Sequence, residues 1–351
     1  MLVLIAGFGW AGGALPFSPT YEGNCQAPKW SPDGSRLAYE VNYHDLKVVE
    51  QYVQAPGSDP VKVEPVSVGS SGLTAGFSGG PPQTVVHELA WAPASLNTHL
   101  TSASGTDRDY DLYLETGSPI AAHPGADGGA AWSPDGRYIA FSSARSGQGD
   151  VYLLSVEDLG AEPRQITGDP TSSELYVSWS PDSRSLAFVG HTRTGDNVYL
   201  VPDVDYPAPA PITTWSRTQT RPSFSPDGVQ LAFYSNHDDP QRFDLYVMAL
   251  PDGKPRLQIE GVVMNHDGPQ WSPDGKSLVY VKDDDDAYDP VYTVQVGNPA
   301  SATQLDTGTV GNSDLDVVVG TDGRTYLAVT AQGRADEQHK DFKRVYVMPL
   351  D

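Results

Sequence analysis

The chain has 351 residues, and its 22 basic against 45 acidic side chains leave a formal charge of −23; such a surface repels phosphate backbones and excludes nucleic acid as a partner. Its 35 glycines and 30 prolines point to many tight turns instead of long helices, and 10% aromatics can bury a core, which excludes a disordered chain. Cys25 is the only cysteine, so neither an intrachain disulfide nor a thiolate metal cluster can form.

Residues 1–14 are apolar, too short to span a bilayer, and end in small residues, like the hydrophobic stretch and cleavage site of a secretory signal, although no basic segment precedes them. They are read as a signal-peptide remnant. Residues 15–351 are then one domain, periplasmic or secreted, with no membrane span in the mature chain. From Trp30 onward one pattern recurs. Trp30-Ser31-Pro32-Asp33-Gly34 leads into Leu37-Ala38-Tyr39. A reduced copy at Trp91-Ala92-Pro93 follows a Gly/Ser-rich stretch over residues 67–82, read as a long loop. Full copies open at Trp132, Trp179, Phe224 and Trp271, each followed by Ser-Pro-Asp, and a last copy keeps only the turn Gly320-Thr321-Asp322-Gly323 after Val319. A second marker agrees with this count: Tyr52, Tyr113, Tyr152, Tyr199, Tyr246, Tyr292 and Tyr346 follow their anchors by 20 to 27 residues.

The spelling of the repeat is that of a strand, a tight turn and a strand. Proline presets φ, aspartate bonds nearby backbone and glycine takes positive φ, while the flanking runs alternate apolar and polar. Anchors mostly lie 41 to 48 residues apart, the size of one four-stranded propeller blade. The predicted fold is therefore all-β, a seven-bladed β-propeller of antiparallel blades. The last copy has only five residues after Tyr346 and no fourth strand of its own. Counting back from Trp30 by the spacing of Ile166, Ile212 and Ile259 to their next anchors puts the closing strand at residues 15–18.

The W-S-P-D-G turn, the apolar strand and the D-x-Y strand, as in Asp150-Val151-Tyr152 and Asp244-Leu245-Tyr246, resemble the TolB-like propeller family from about Trp30 onward. Relatives include the six-bladed periplasmic propeller of the Tol-Pal system, which has an additional N-terminal domain, and the propellers fused to prolyl oligopeptidase-type peptidases. The resemblance implies a propeller and a bias toward binding proteins.

No phosphate-binding loop or H-E-x-x-H motif occurs, and a peptidase half is not expected. Only His266 and His87 fall just before a first strand, too few for a lyase that holds a metal on channel histidines. A non-enzymatic scaffold is the favoured class, with a lyase or hydrolase using a metal or carboxylate site at the channel mouth as the alternative. Five residues before each anchor lie Cys25, Val86, Asp127, Glu174, Gln219, His266 and Asp314. In a propeller the loops entering the innermost strands open on one face. Asp127, Glu174, Gln219, His266, Asp267 and Asp314 are thus the candidate partner-binding residues at the channel mouth. Three readings of this acid stand side by side: solvated loops with no ligand, a basic protein or peptide partner bound by a monomer, and Ca²⁺ on Asp283, Asp284, Asp285, Asp286 and Asp289. No other cofactor is expected. The Trp anchors and the repeated tyrosines are read as interblade core, and Cys25 as an inert small residue.

Overall fold

The computed structural model describes all residues except 1–14, 17–23, 44–47, 64–84, 105–109, 116–118, 122, 148, 285–287, 334–341 and 351. The reading of residues 1–14 as a signal remnant lies outside the described residues. The rest is all-β, and the 3₁₀ turns Ala144–Ser146 and Pro299–Ser301 are its helical segments. Four antiparallel strands in chain order, Asn24–Trp30, Leu37–Tyr43, Val48–Gln54 and Val61–Lys62, make the Trp30 sheet. The same order recurs in the Trp91 sheet, beginning with Val85–Trp91, and in the Trp132 sheet, beginning with Asp127–Trp132. It recurs again from Ser173–Trp179 and from Arg217–Phe224, whose sheets share a short parallel contact at Gly195 and Arg217. In the Trp271 sheet the first position is split between Val262–Val263 and Gln270–Trp271, both paired with Ser277–Lys282. In the Val319 sheet, Leu315–Val319 and Thr309–Val310 pair with Thr325–Gly333, which pairs with Arg344–Pro349. The outer edge of that last strand takes Leu15–Pro16 antiparallel, with Leu15 opposite Val347 and Pro16 opposite Tyr346. This is the segment that the repeat spacing singles out.

The turn chemistry explains why Ser-Pro-Asp recurs. The hydroxyls of Ser31, Ser133, Ser180, Ser225 and Ser272 donate to the aspartate two residues on at 2.6–2.7 Å. The same hydroxyls accept the backbone N–H five residues on at 2.8–2.9 Å. Each serine thereby ties the turn to the start of the second strand. These serine bonds hold the carboxyls of Asp33, Asp182, Asp227 and Asp274 below their ordinary value.

The core lies between sheets. Ile139 and Phe141 of the Trp132 sheet pack with Leu100 and Leu112 of the Trp91 sheet, and Trp179 and Phe188 pack with Ala140 and Val151. One cluster brings Trp30, Leu37 and Tyr39 against Ala328 and Val345, so the last sheet in the chain packs on the Trp30 sheet. Each fully buried Leu or Phe contributes about 1.5–3 kcal/mol. The anchors also bond across the gap. The indole Nε1 of Trp91, Trp179 and Trp271 donates to the carbonyls of Lys29, Ala131 and Ser223, at 2.9, 3.0 and 3.2 Å. Each acceptor belongs to the residue just before the anchor, or its Phe equivalent, of the preceding sheet. Repeated four-stranded sheets packed face to face are the layout a β-propeller requires.

Candidate functional site

The first strands share a local irregularity that aims side chains inward. Three residues before the anchor, Ala27, Glu88, Gly129, Tyr176, Arg221 and Gly268 all adopt positive φ, between 47° and 92°. Strand pairing slips at this step, for example between Leu175 and Ser178 and between Thr220 and Ser223. One extra residue in the first strand makes a β-bulge, and the extra side chain leaves the sheet plane. The bulge residues converge: Ala27, Glu88, Gly129, Tyr176 and Arg221 line one pocket of about 270 Å³, with Lys29, His266 and Asp267. Leu315–Val319 has no bulge and pairs in unbroken register. Asp316, three residues before Val319, instead accepts the backbone N–H of Trp30 at 2.6 Å.

The pocket is bipolar. Lys29 Nζ lies 3.2 Å from Asp267 Oδ1, and His266 Nδ1 lies 3.5 Å from the same oxygen. Burial opposes the charge on Asp267, yet Lys29 and His266 hold its carboxyl well below the ordinary range. The Asp267 carboxylate in turn raises His266, and it raises Lys29 in spite of burial. Burial pushes Asp316 up to about 7. On the other wall the Arg221 guanidinium lies 4.6 Å over the ring of Tyr176, and Glu88 Oε2 accepts the N–H of Gly129 at 2.7 Å.

The six candidate mouth residues separate into two groups. Asp127, Glu174 and Gln219 are 1%, 2% and 0% exposed. Arg145 Nη2 holds Asp127 at 3.0 Å, Ser172 and Thr167 donate to Glu174, and Gln219 bonds Arg217 O and Thr213. Burial raises Asp127 to about 6 and Glu174 to about 7. These three side chains are satisfied inside the protein and are not offered to a partner, which corrects their assignment to a docking surface. The other three are brought together: the His266 N–H donates to Asp314 Oδ1 at 2.9 Å, and His266 lies beside Asp267. Counting five residues back assumes unbroken alternation, and the bulge resets which side chain faces the lumen. The positions three before the anchor, Glu88, Tyr176 and Arg221 among them, were the ones to count to. Their one signal in the sequence is glycine at two of six copies, Gly129 and Gly268.

Of the proposed calcium ligands, Asp285 and Asp286 lie outside the described residues. Asp284 Oδ1 accepts the N–H groups of Tyr288 and Asp289 at 3.0 and 3.2 Å, closing its own loop. Among the described residues no group of three or more His, Cys, Asp or Glu could hold a metal ion, and no helix is long and apolar enough to cross a membrane.

The family model described as "TolB beta propeller domain" matches residues 157–344. No curated protein matches the sequence. Similar solved structures include a TolB structure from Agrobacterium tumefaciens, 19% identical with a TM-score of 0.49, covering 94% of this chain and 92% of that one. Another is TolB from Acinetobacter baumannii, 16% identical with a TM-score of 0.45 over 92% of this chain and 78% of that one. A prolyl endopeptidase structure, 12% identical with a TM-score of 0.57, covers 94% of this chain and 50% of that one, a likeness of fold alone.

Proposed function

Because the chain belongs to the TolB β-propeller domain family, we propose that it is an exported, non-enzymatic scaffold that docks a basic protein or peptide on its acidic loop face. The scaffold is a seven-bladed ring closed by Leu15–Pro16, a reading supported by the pairing of that segment with Arg344–Pro349 and by the core shared between Trp30 and Ala328. One observation carries the choice of face. At the turn end, acids meet bases, as in Arg137–Asp135, Arg184–Asp203 and Lys276–Asp274. At the loop end, Asp238 and Asp283 are exposed with no basic side chain within ion-pair distance among the described residues, and Asp239 stands beside Asp238 in the same loop. Unbalanced exposed charge steers a partner of opposite sign and speeds its association. Asp127, Glu174 and Gln219 hold the frame beneath that face. The likeness to a prolyl endopeptidase is one of fold, so the enzyme alternative has no observation of its own.

The test is capture from native envelope extract by the wild type and by an Asp238→Asn, Asp239→Asn, Asp283→Asn triple variant, with mass spectrometry at low and high salt. The proposal expects a basic protein that the wild type retains at low salt and that both high salt and the triple variant release. Identical captured sets for the two proteins sink it.

A further inference from the structure

We infer that the pocket ringed by the bulge residues is a carboxylate-binding site, with Arg221 as the residue that holds the anion and Tyr176 as the residue that positions it. This goes beyond the docking face and stands even if that face binds nothing. Of the two pocket cations, Lys29 is engaged by Asp267 at 3.2 Å. Arg221 is not engaged: among the described residues no carboxylate lies within ion-pair distance of its guanidinium and no acceptor takes its side-chain N–H groups. It rests 4.6 Å over the Tyr176 ring instead.

That arrangement has a definite chemical meaning. A cation–π contact fixes the plane of the guanidinium but leaves its N–H edges free, and those edges match a carboxylate bidentately. In a chain with two acids for every base, an arginine facing a pocket without an acid partner is held open for an anion. Tyr176 itself is 42% exposed, a large ring left facing the pocket. Both residues occupy a backbone conformation, φ of 56° and 54°, where a side chain costs about 1–2 kcal/mol and where two other sheets use glycine. The backbone does not call for them, and the pocket does. His266 lines the same pocket, and the charge of Arg221 opposes its protonation. Glu40, Glu88 and Asp267 also line the pocket and restrict entry to ligands that present one carboxylate toward Arg221. At about 270 Å³ the pocket lies just under the roughly 300–1,000 Å³ of drug-sized sites, so the ligand is small, or is the end of a chain.

Two sources present that group, a free small carboxylate and the C-terminus of a peptide. The experiment uses the full chain, calorimetric titration and two matched pairs: N-acetylphenylalanine with its amide, and an acetylated hexapeptide with a free or amidated C-terminus. The expected result is that at least one acid binds ten-fold or more tightly than its amide. Preference for the acid in both pairs, or in one alone, assigns the source. Arg221→Gln removes the preference, Arg221→Lys keeps part of it, and Tyr176→Leu weakens acid binding while leaving the amide unchanged. Glu88→Gln, which removes a like charge, tightens it. Each variant's thermal midpoint is taken alongside, and Glu88→Gln reads the site without touching the arginine. Equal binding of acid and amide in both pairs, no binding of any probe at 10 mM, or an unchanged preference in Arg221→Gln overturns the assignment.

Discussion

Single carboxyls in this protein have opposite fates according to whether a donor or a desolvating wall reaches them first. Asp33 in its turn is held low by Ser31, while Asp316, beside Asp267 and Lys29 and bonded to the backbone of Trp30 and Val317, is pushed up to about 7 by burial. An unfolded aspartate titrates near 3.9, so the folded state keeps a proton that the unfolded chain releases between about pH 4 and pH 7. The contribution of Asp316 to stability is therefore favourable below that window and declines as pH rises through it. Asp316→Asn keeps an acceptor for the Trp30 N–H and removes the ionisation. We expect the variant to match the wild type near pH 4 and to exceed it at pH 8 by on the order of 2 kcal/mol. Thermal midpoints at the two pH values check this, and a gain of equal size at both refutes it.

At the scale of strands and sheets, one indole does different work from copy to copy. Trp179 Nε1 donates to Ala131 O, whereas Trp132 Nε1 is buried with no partner among the described residues. Trp179→Phe strands a carbonyl between sheets and is expected to cost about 1–2 kcal/mol more than Trp132→Phe, which removes an N–H that burial already penalises. Denaturant unfolding of the two variants gives the ordering, and equal losses would mean that the bond across the gap contributes nothing. The contrast also shows how much was legible beforehand. Trp-Ser-Pro-Asp could be read as anchor and turn because each residue has one physical task, fixed by ring size, φ preference or hydroxyl reach. Counting puts a strand at residues 15–18, since pairing spacing is periodic, and Leu15–Pro16 of that segment pairs with Val347 and Tyr346. The inward positions were illegible from residue type: Ala27, Glu88, Tyr176 and Arg221 share a backbone conformation and no side-chain chemistry. Asp127 and Glu174 misled because buried and exposed acids are spelled alike, and only the partners Arg145, Ser172 and Thr167 tell them apart.

For the molecule as a whole, the junction between the two ends of the chain decides whether the sheets act as one body. Gly34 in the first turn backs onto the last sheet: a methyl added there would lie 2.6 Å from Val319 O and 2.8 Å from Gly320 Cα. Gly323 has a similar positive φ, 81°, with nothing within 4 Å of such a methyl. Gly323→Ala should cost only the roughly 1–2 kcal/mol of the left-handed backbone. Gly34→Ala adds a backbone clash across the junction and is expected to cost at least about 1 kcal/mol more. Calorimetry of both variants measures the difference, and indistinguishable midpoints would place the two ends of the chain apart.

The positive-φ step three residues before six of the seven anchors also separates what the inner strands carry from what holds them. Pairing on either side of it is backbone to backbone, and the residue at the step can be glycine, alanine, glutamate, tyrosine or arginine with the ladder intact. The interior can therefore be rewritten one letter per sheet while the frame stays fixed, with neighbouring letters matched to each other as Arg221 is to Tyr176. A protein so built can acquire a new ligand without refolding, and an engineer could reprogram it from five or six codons.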